Sequence, residues 1–209
     1  MAGIVVPILL LAVAIVVGRG ILWWVSTAPL RRMRKLAAQG DPDGLTGMGI
    51  YLLDRGQPQR AADCFARAAE QGHAEAQGWL GLCYLRGEGV EPNPSRALEC
   101  LRVSAAAGAA AGCLHLGNCY LEGNGVEQNA EEAVRLYEQA AAQDDDDACY
   151  ALGMCCLQGI GTPANRDRAI SLLRRAAYVL HAEATEKLDE LGVSYKTIED
   201  DSDAPEPKE

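Results

Sequence analysis

Leu80-Gly81-Leu82-Cys83-Tyr84, followed by Gly87-Glu88-Gly89-Val90, Asn93 and Ala97, is the stretch that decides the fold, because it comes back. Thirty-six residues on stand Leu116-Gly117-Asn118-Cys119-Tyr120, Gly123-Asn124-Gly125-Val126, Asn129 and Ala133. Another thirty-six on stand Leu152-Gly153-Met154-Cys155-Cys156, Gly159-Ile160-Gly161, Asn165 and Ala169. A period of this length marks an array in which each unit is one supersecondary element that needs neighbours to bury its apolar face.

The phase extends to both sides. Ala61, Ala97, Ala133 and Ala169 align, as do Phe65, Leu101, Tyr137 and Leu173, and Ala69, Ala105, Ala141 and Ala177; residues four apart share one helical face. The pattern predicts a first helix over Leu45 to Leu53, a turn at Gly56-Gln57-Pro58 and a second helix over Ala61 to Ala69. Tyr51 precedes Ala61 by 10 residues where Tyr84 precedes Ala97 by 13, so the opening turn is shorter, as terminal repeats often are. In the Gly-x-Gly-Val turn, Gly87 is expected to end a helix in the left-handed conformation and Gly89 to allow a second sharp change. Pro92 and Pro94 delay the return helix and Ser95 is expected to cap it. The turn follows a helix and lacks a Gly-Lys-Ser/Thr ending, which separates it from a phosphate loop.

His73-Ala74-Glu75-Ala76 returns as His181-Ala182-Glu183-Ala184, three periods later. A fifth unit therefore begins, and its helix, about Glu183 to Leu191, carries the charges of a capping element. The tail over 195–209 is acidic and too poor in apolar residues to fold, and is expected to be disordered.

Gly3 to Val25 is apolar except for Arg19, long enough as a helix to span roughly 34 Å. Trp23 and Trp24 stand where an interfacial belt belongs. A cleaved signal peptide would want a basic region ahead of the apolar run and a better junction than Ser26-Thr27-Ala28-Pro29. The expected organisation is a transmembrane anchor at 1–27, a basic juxtamembrane segment and linker at 28–43 that breaks at Gln39-Gly40-Asp41-Pro42-Asp43-Gly44, the array with its cap at 44–194, and the tail. Arg31, Arg32, Arg34 and Lys35 after the span predict a single-pass membrane protein with a cytoplasmic array.

From Asp41 onward 14 Lys/Arg face 29 Asp/Glu, a net charge of −15. That balance argues against nucleic acid, which is bound through clustered cations. Of the eight cysteines, Cys83, Cys119 and Cys155 share a repeat position, as do Cys113 and Cys149, and Cys64 and Cys100. Equivalent residues on stacked helices lie about 8–10 Å apart, beyond disulfide reach, so reduced thiols are expected. No Cys-x-x-Cys pair suggests zinc. His73, His115 and His181 form no Ser/His/Asp or Cys/His grouping, and Asp144 to Asp147, between helices, suits capping better than cation binding. No catalytic, cofactor or metal residues are assigned, and the chain is read as not an enzyme.

Ala74-Glu75-Ala76-Gln77, Leu80-Gly81, Tyr84, Gly87-Glu88-Gly89-Val90, Ala97 and Ala105-Ala106 resemble the Sel-one-like repeat, a relative of the tetratricopeptide repeat, over about Leu45 to Leu191. The resemblance implies an all-α, right-handed superhelical solenoid of antiparallel helix pairs that acts as an adaptor for protein complexes, often at membranes. Some secreted, cysteine-rich relatives carry a disulfide in each repeat and are linked to β-lactams and the cell wall. Here Ala106 and Ala142 stand where the bridging cysteine would be.

The resemblance also implies that the first helix of each pair lines the groove. With Leu80 as zero at about 100° per residue, Ala76, Cys83 and Tyr84 fall on the core side, while Glu75, Trp79, Leu82 and Arg86 form an opposite stripe. One period on, the stripe reads Ala111, His115, Asn118 and Glu122, then Asp147, Ala151, Met154 and Gln158. Glu75, Trp79, Leu82, Arg86, His115, Asn118, Glu122, Met154 and Gln158 are the expected partner-binding residues, exposed to a peptide or helix of a protein partner. The leading expectation is a membrane-anchored interaction scaffold. A secreted or periplasmic β-lactam or cell-wall enzyme and a purely structural subunit are the alternatives.

Overall fold

The computed structural model describes residues 30–178 and 181–194. The described residues are helical, without strands: residues 30–38 (α1), then α2 Pro42–Asp54, α3 Pro58–Ala69, α4 Ala74–Arg86, α5 Pro94–Ala106, α6 Ala110–Glu122, α7 Ala130–Ala141, α8 Asp146–Gln158, α9 Arg166–Tyr178 and α10 Ala182–Glu190. The helices pair α2 with α3, α4 with α5, α6 with α7 and α8 with α9, and each pair stacks on the next. Gly3 to Val25 and the tail from residue 195 lie outside the described residues, and among the described residues no helix is long and apolar enough to cross a membrane.

The repeat chemistry explains the pairing. Ala61, Ala97, Ala133 and Ala169 are fully buried, as are Phe65, Leu101, Tyr137 and Leu173 one turn on. Each large side chain leans on a glycine of the partner helix. A Cβ on Gly49, Gly81 or Gly117 would come within 3.0 Å of Phe65, Leu101 or Tyr137, and one on Gly153 would press on Leu173 at 3.1 Å. The glycine and alanine columns thus let two helices close on a bulky residue without a void.

Gly87, Gly123 and Gly159 end α4, α6 and α8 in the left-handed conformation at φ 70°, 72° and 71°, as the spacing predicts. The second turn glycines are also left-handed, and they face the preceding repeat: a Cβ on Gly89 would stand 2.1 Å from the Pro58 carbonyl oxygen at the start of α3. The return helix is capped by a different residue from the one expected. Asn93, Asn129 and Asn165 accept hydrogen bonds from the backbone N–H of Arg96, Glu132 and Arg168 at 3.0, 3.0 and 2.9 Å. Ser95 lies inside α5, since Pro94, with its φ already fixed for a helix, opens it.

The segment read as a linker is partly structural. Residues 30–38 are helical, and a Cβ on Gly44 would overlap Leu36 at 2.4 Å while one on Gly47 would meet Met33 at 2.7 Å. Gly44 therefore belongs to a helix–helix contact inside α2 and not to the break, which narrows to the turn at Gln39–Asp41. Leu36 occupies the place relative to Gly44 that Ser104 has relative to Gly112. Residues 30–38 thus behave as the second helix of an incomplete repeat and cover the apolar end of α2. At the other end α10 buries Ala184 and Leu188 and leaves Glu183, Glu186, Asp189 and Glu190 to solvent, the two-faced pattern a cap needs.

Candidate partner-binding face

The first helices meet directly where glycine allows it. α4 and α6 pack on each other, and a Cβ on Gly78 would lie 2.6 Å from the Gly112 nitrogen. This closeness decides the fate of the expected stripe. A helical wheel built around Leu80 sees one partner helix, whereas α4 touches α2, α3, α5 and α6.

Leu82 and His115 are consequently buried, each 6% exposed, and do not line an open face. Trp79 is half-buried and turned to neighbouring repeats: its ring stacks on Phe65 at 5.9 Å and meets His115 edge-on at 5.6 Å. Asn118 is half-buried and accepts a 2.7 Å hydrogen bond from the Tyr137 hydroxyl, satisfying the polar tip of a core residue. Glu75 reaches the N-terminus of α6, where its Oε2 accepts from the Ala111 N–H at 3.4 Å. Glu75, Trp79 and His115 join neighbouring repeats, Leu82 is buried, and Asn118 braces α6 on α7 within one repeat; a wheel with one partner misses this because the solenoid sets four helices, α2, α3, α5 and α6, against α4.

Arg86, Glu122 and Gln158, one repeat apart at the ends of α4, α6 and α8, are exposed, and Met154 is half-buried beside them. Arg86 makes an exposed ion pair with Glu88 at 3.7 Å, an interaction of little net worth. This row is what the structure leaves of the expected binding residues as an accessible surface.

Glu75 belongs to a second series, which spans repeats. Asp43, Glu75, Ala111 and Asp147 hold the same place near the start of their helices, and the three acids each reach the N-terminus of the next first helix. Asp43 accepts from the His73 Nε2 at 2.8 Å and Asp147 from the His181 Nε2 at 3.1 Å. Those histidines in turn cap α4 and α10, with Nδ1 accepting from the Ala76 and Ala184 N–H, both at 3.2 Å. Asp145 caps α8 through a 2.8 Å bond from the Ala148 N–H. Ala109, at the corresponding place on α6, provides no side-chain cap. Ala109→Ser is expected to raise stability by about 1 kcal/mol. Urea unfolding would read this as a higher midpoint at unchanged slope, and an unmoved midpoint would mean that Glu75 already supplies the whole cap.

The eight cysteines are unpaired and buried to different degrees. Burial pushes the Cys83 and Cys119 thiols up to about 11, and desolvation is also the leading cause of the rise at Cys64, Cys100, Cys113, Cys149, Cys155 and Cys156. Thiols held protonated at neutral pH are poor nucleophiles and poor metal ligands. Among the described residues no three His, Cys, Asp or Glu side chains are grouped to hold a metal ion.

Comparison with known proteins agrees with this architecture. Among solved structures, the c5321 protective antigen of uropathogenic Escherichia coli, described as displaying an SLR fold, is 29% identical with a TM-score of 0.60, over 78% of this chain and 36% of that one. A Sel1 repeat protein from Oxalobacter formigenes is 29% identical with a TM-score of 0.57, over 76% of this chain and 47% of that one. The chain therefore spans less than half the length of either. Helicobacter pylori cysteine rich protein B shares the fold at 21% identity and a TM-score of 0.50, over 62% of this chain and 96% of that one. A search of curated proteins by sequence finds no match. Sel1 repeats are generally protein–protein interaction modules. The Sel1 repeat model matches residues 42–73, 74–108, 110–145 and 146–178, more than half of the chain, and with the helix pairs and glycine turns described above it places this chain in the Sel1 repeat family.

Proposed function

We propose that the chain is a membrane-anchored scaffold whose repeats engage a protein or peptide partner through the row Arg86, Glu122, Met154 and Gln158. The observation that carries the reading is the division of labour on the first helices. Glu75, Trp79 and His115 are consumed in joining repeats, Leu82 is buried and Asn118 is held by Tyr137, while the three positions at the helix ends stay exposed at the same register in consecutive repeats. An array of evenly spaced, chemically different contacts suits recognition of an extended segment, in which alternate polar groups set register. The family's general role in protein–protein interaction supports the same conclusion. The apolar run Gly3 to Val25 supports the anchor, and the basic residues after it support a cytoplasmic array.

The test is site-specific photo-crosslinking in cells. A photoreactive residue at Glu122 is expected to yield a discrete adduct, whereas one at Glu99, exposed on α5, is expected to yield none. Arg86→Ala combined with Gln158→Ala should weaken the Glu122 adduct by about tenfold, about 1.4 kcal/mol, with the melting temperature unchanged. Equal adducts from both positions, or no effect of the double substitution, would remove the row from the binding face. The anchor is tested separately: the full chain should resist extraction from membranes by alkaline carbonate, and release into the supernatant would refute it.

A further inference from the structure

We propose that the outward face of helix α1 is a docking surface for the anionic headgroups of a lipid bilayer. Helix α1 separates its chemistry cleanly. At about 100° per residue, Leu30, Met33, Leu36 and Ala37 occupy one arc, and Arg31, Arg32, Arg34 and Lys35 occupy the opposite one. The apolar arc is half-buried and is the side that packs on α2, through Leu36 at Gly44 and Met33 at Gly47. The four cationic side chains are exposed. Two contacts fix the helix further: the Asp41 N–H donates to the Leu36 carbonyl at 3.1 Å, and Gln71 Nε2 donates to the Gly40 carbonyl at 2.9 Å. The cations are therefore carried on a packed element of the array and not on a loose tether.

The patch continues onto α2. The guanidinium of Arg34 lies 6.0 Å from the Tyr51 ring centre and that of Arg55 lies 5.2 Å from it, so a fifth exposed cation flanks the same half-buried aromatic ring. Asp54, beside Arg55 in sequence, is exposed too, and no acid occurs before Asp41.

Charge complementarity commits the face to one occupant. Each cation near an anionic membrane surface contributes about fivefold in affinity, and the attraction fades within a Debye length. The rest of the chain, with 14 basic against 29 acidic residues from Asp41 onward, is repelled by the same surface. A bilayer would therefore hold the α1 end and push the repeats away, setting the direction in which the binding row is presented. A membrane fits this face better than an acidic protein segment because the apolar run ends at Val25, five residues before the helix. The inference rests on the anchor reading only for bringing the surface to a bilayer, and its test does not depend on that reading.

Purified full-length chain in dodecyl maltoside would be mixed with equal amounts of phosphatidylglycerol and phosphatidylcholine, and the retained lipid counted by native mass spectrometry. Retention of phosphatidylglycerol in preference to phosphatidylcholine is expected. Combined Arg31→Gln, Arg32→Gln, Arg34→Gln and Lys35→Gln should cut that preference by about fivefold or more. Because Arg34 touches Tyr51, the pair Arg32→Gln and Lys35→Gln, which leaves the ring contact in place, should move the preference in the same direction with the melting temperature held. Equal retention of the two lipids by the native chain, or an unchanged preference in the pair variant, overturns the proposal. So does displacement by free glycerol phosphate, which would mark a simple anion site, and so does a preference that emerges only after deletion of residues 199–209, which would show the acidic tail as the occupant. Carbonate extraction can fail while this lipid preference stands, so the two readings fall independently.

Discussion

Gly89→Ala should destabilise the array by about 3 kcal/mol or more, while Gly72→Ala, at a backbone conformation of the same kind, should cost only about 1 kcal/mol. Both glycines are left-handed, at φ 78° and 81°. They differ in what surrounds them. Around Gly72 a methyl group meets nothing within 4 Å, so the substitution carries the conformational cost alone. At Gly89 the methyl would sit 2.1 Å from the Pro58 carbonyl oxygen and 2.6 Å from the Gln59 nitrogen. Neither atom can swing aside, because both belong to the first turn of α3. The turn must then withdraw from the preceding repeat and break an inter-repeat contact. Gly161→Ala should repeat the result one end further along, since its methyl would stand 2.1 Å from the Ala130 carbonyl oxygen at the start of α7. Thermal melts of the three variants decide the matter: equal shifts at Gly72 and Gly89 would mean that the turn yields freely and that repeat contact at this point is slight.

What the chain disclosed by pattern, and what it kept back, follows from the range of the interactions. The repeat period, the left-handed glycines and the buried Ala and Phe/Leu/Tyr columns are set within one helix pair, and a 36-residue recurrence exposes them directly. The asparagine caps are equally legible, since Asn93, Asn129 and Asn165 recur in phase and Pro94 follows the first of them. The helix at residues 30–38 is masked by composition, because four cations in five positions read as a juxtamembrane topology signal although Leu30, Met33, Leu36 and Ala37 form an apolar stripe between them. The inward placement of part of the expected stripe has a different origin. Whether Trp79 and His115 face solvent depends on how closely α4 and α6 approach, and that distance is set by Gly78 and Gly112 thirty-four residues apart, a contact that no single-helix projection contains. The pairing of Asp43 with His73 and of Asp147 with His181 crosses repeats in the same way.

The buried imidazole that this close approach creates leads to a pH effect of definite sign. Neither ring nitrogen of His115 has a hydrogen-bond partner, and nor does Trp79 Nε1 beside it. Desolvation, assisted by the Arg86 charge, lowers the His115 pKa from 6.5 to about 4, so the fold holds the ring neutral. The unfolded chain takes up the proton first. Stability from this group is therefore complete above pH 6.5 and is lost as the pH falls from 6.5 toward 4, by roughly 3 kcal/mol at most. Asp145 works in the opposite direction. Desolvation raises its pKa to about 6 against the lowering effect of the Ala148 N–H, with Asp147, Asp146 and Glu75 adding to the rise. A raised carboxylate contributes stability below its unfolded value of 3.8 and loses it as the pH climbs through 6, so acid that weakens the fold at His115 strengthens it at Asp145. The native chain should show little net slope from this pair between pH 6 and 4, and single substitutions should expose each half. His115→Leu removes two unpartnered buried nitrogens and is expected to be no less stable than the native chain at pH 7. At pH 4.5 its advantage should widen by about 2 kcal/mol. Asp145→Asn, which keeps an oxygen able to cap α8, should instead lose stability relative to the native chain as the pH falls from 6 to 4. Urea midpoints at pH 7 and 4.5 measure both. A His115→Leu chain that is weaker at pH 7, or whose difference from the native chain does not change with pH, would show that the imidazole is solvated and that α4 and α6 stand further apart than the glycines allow.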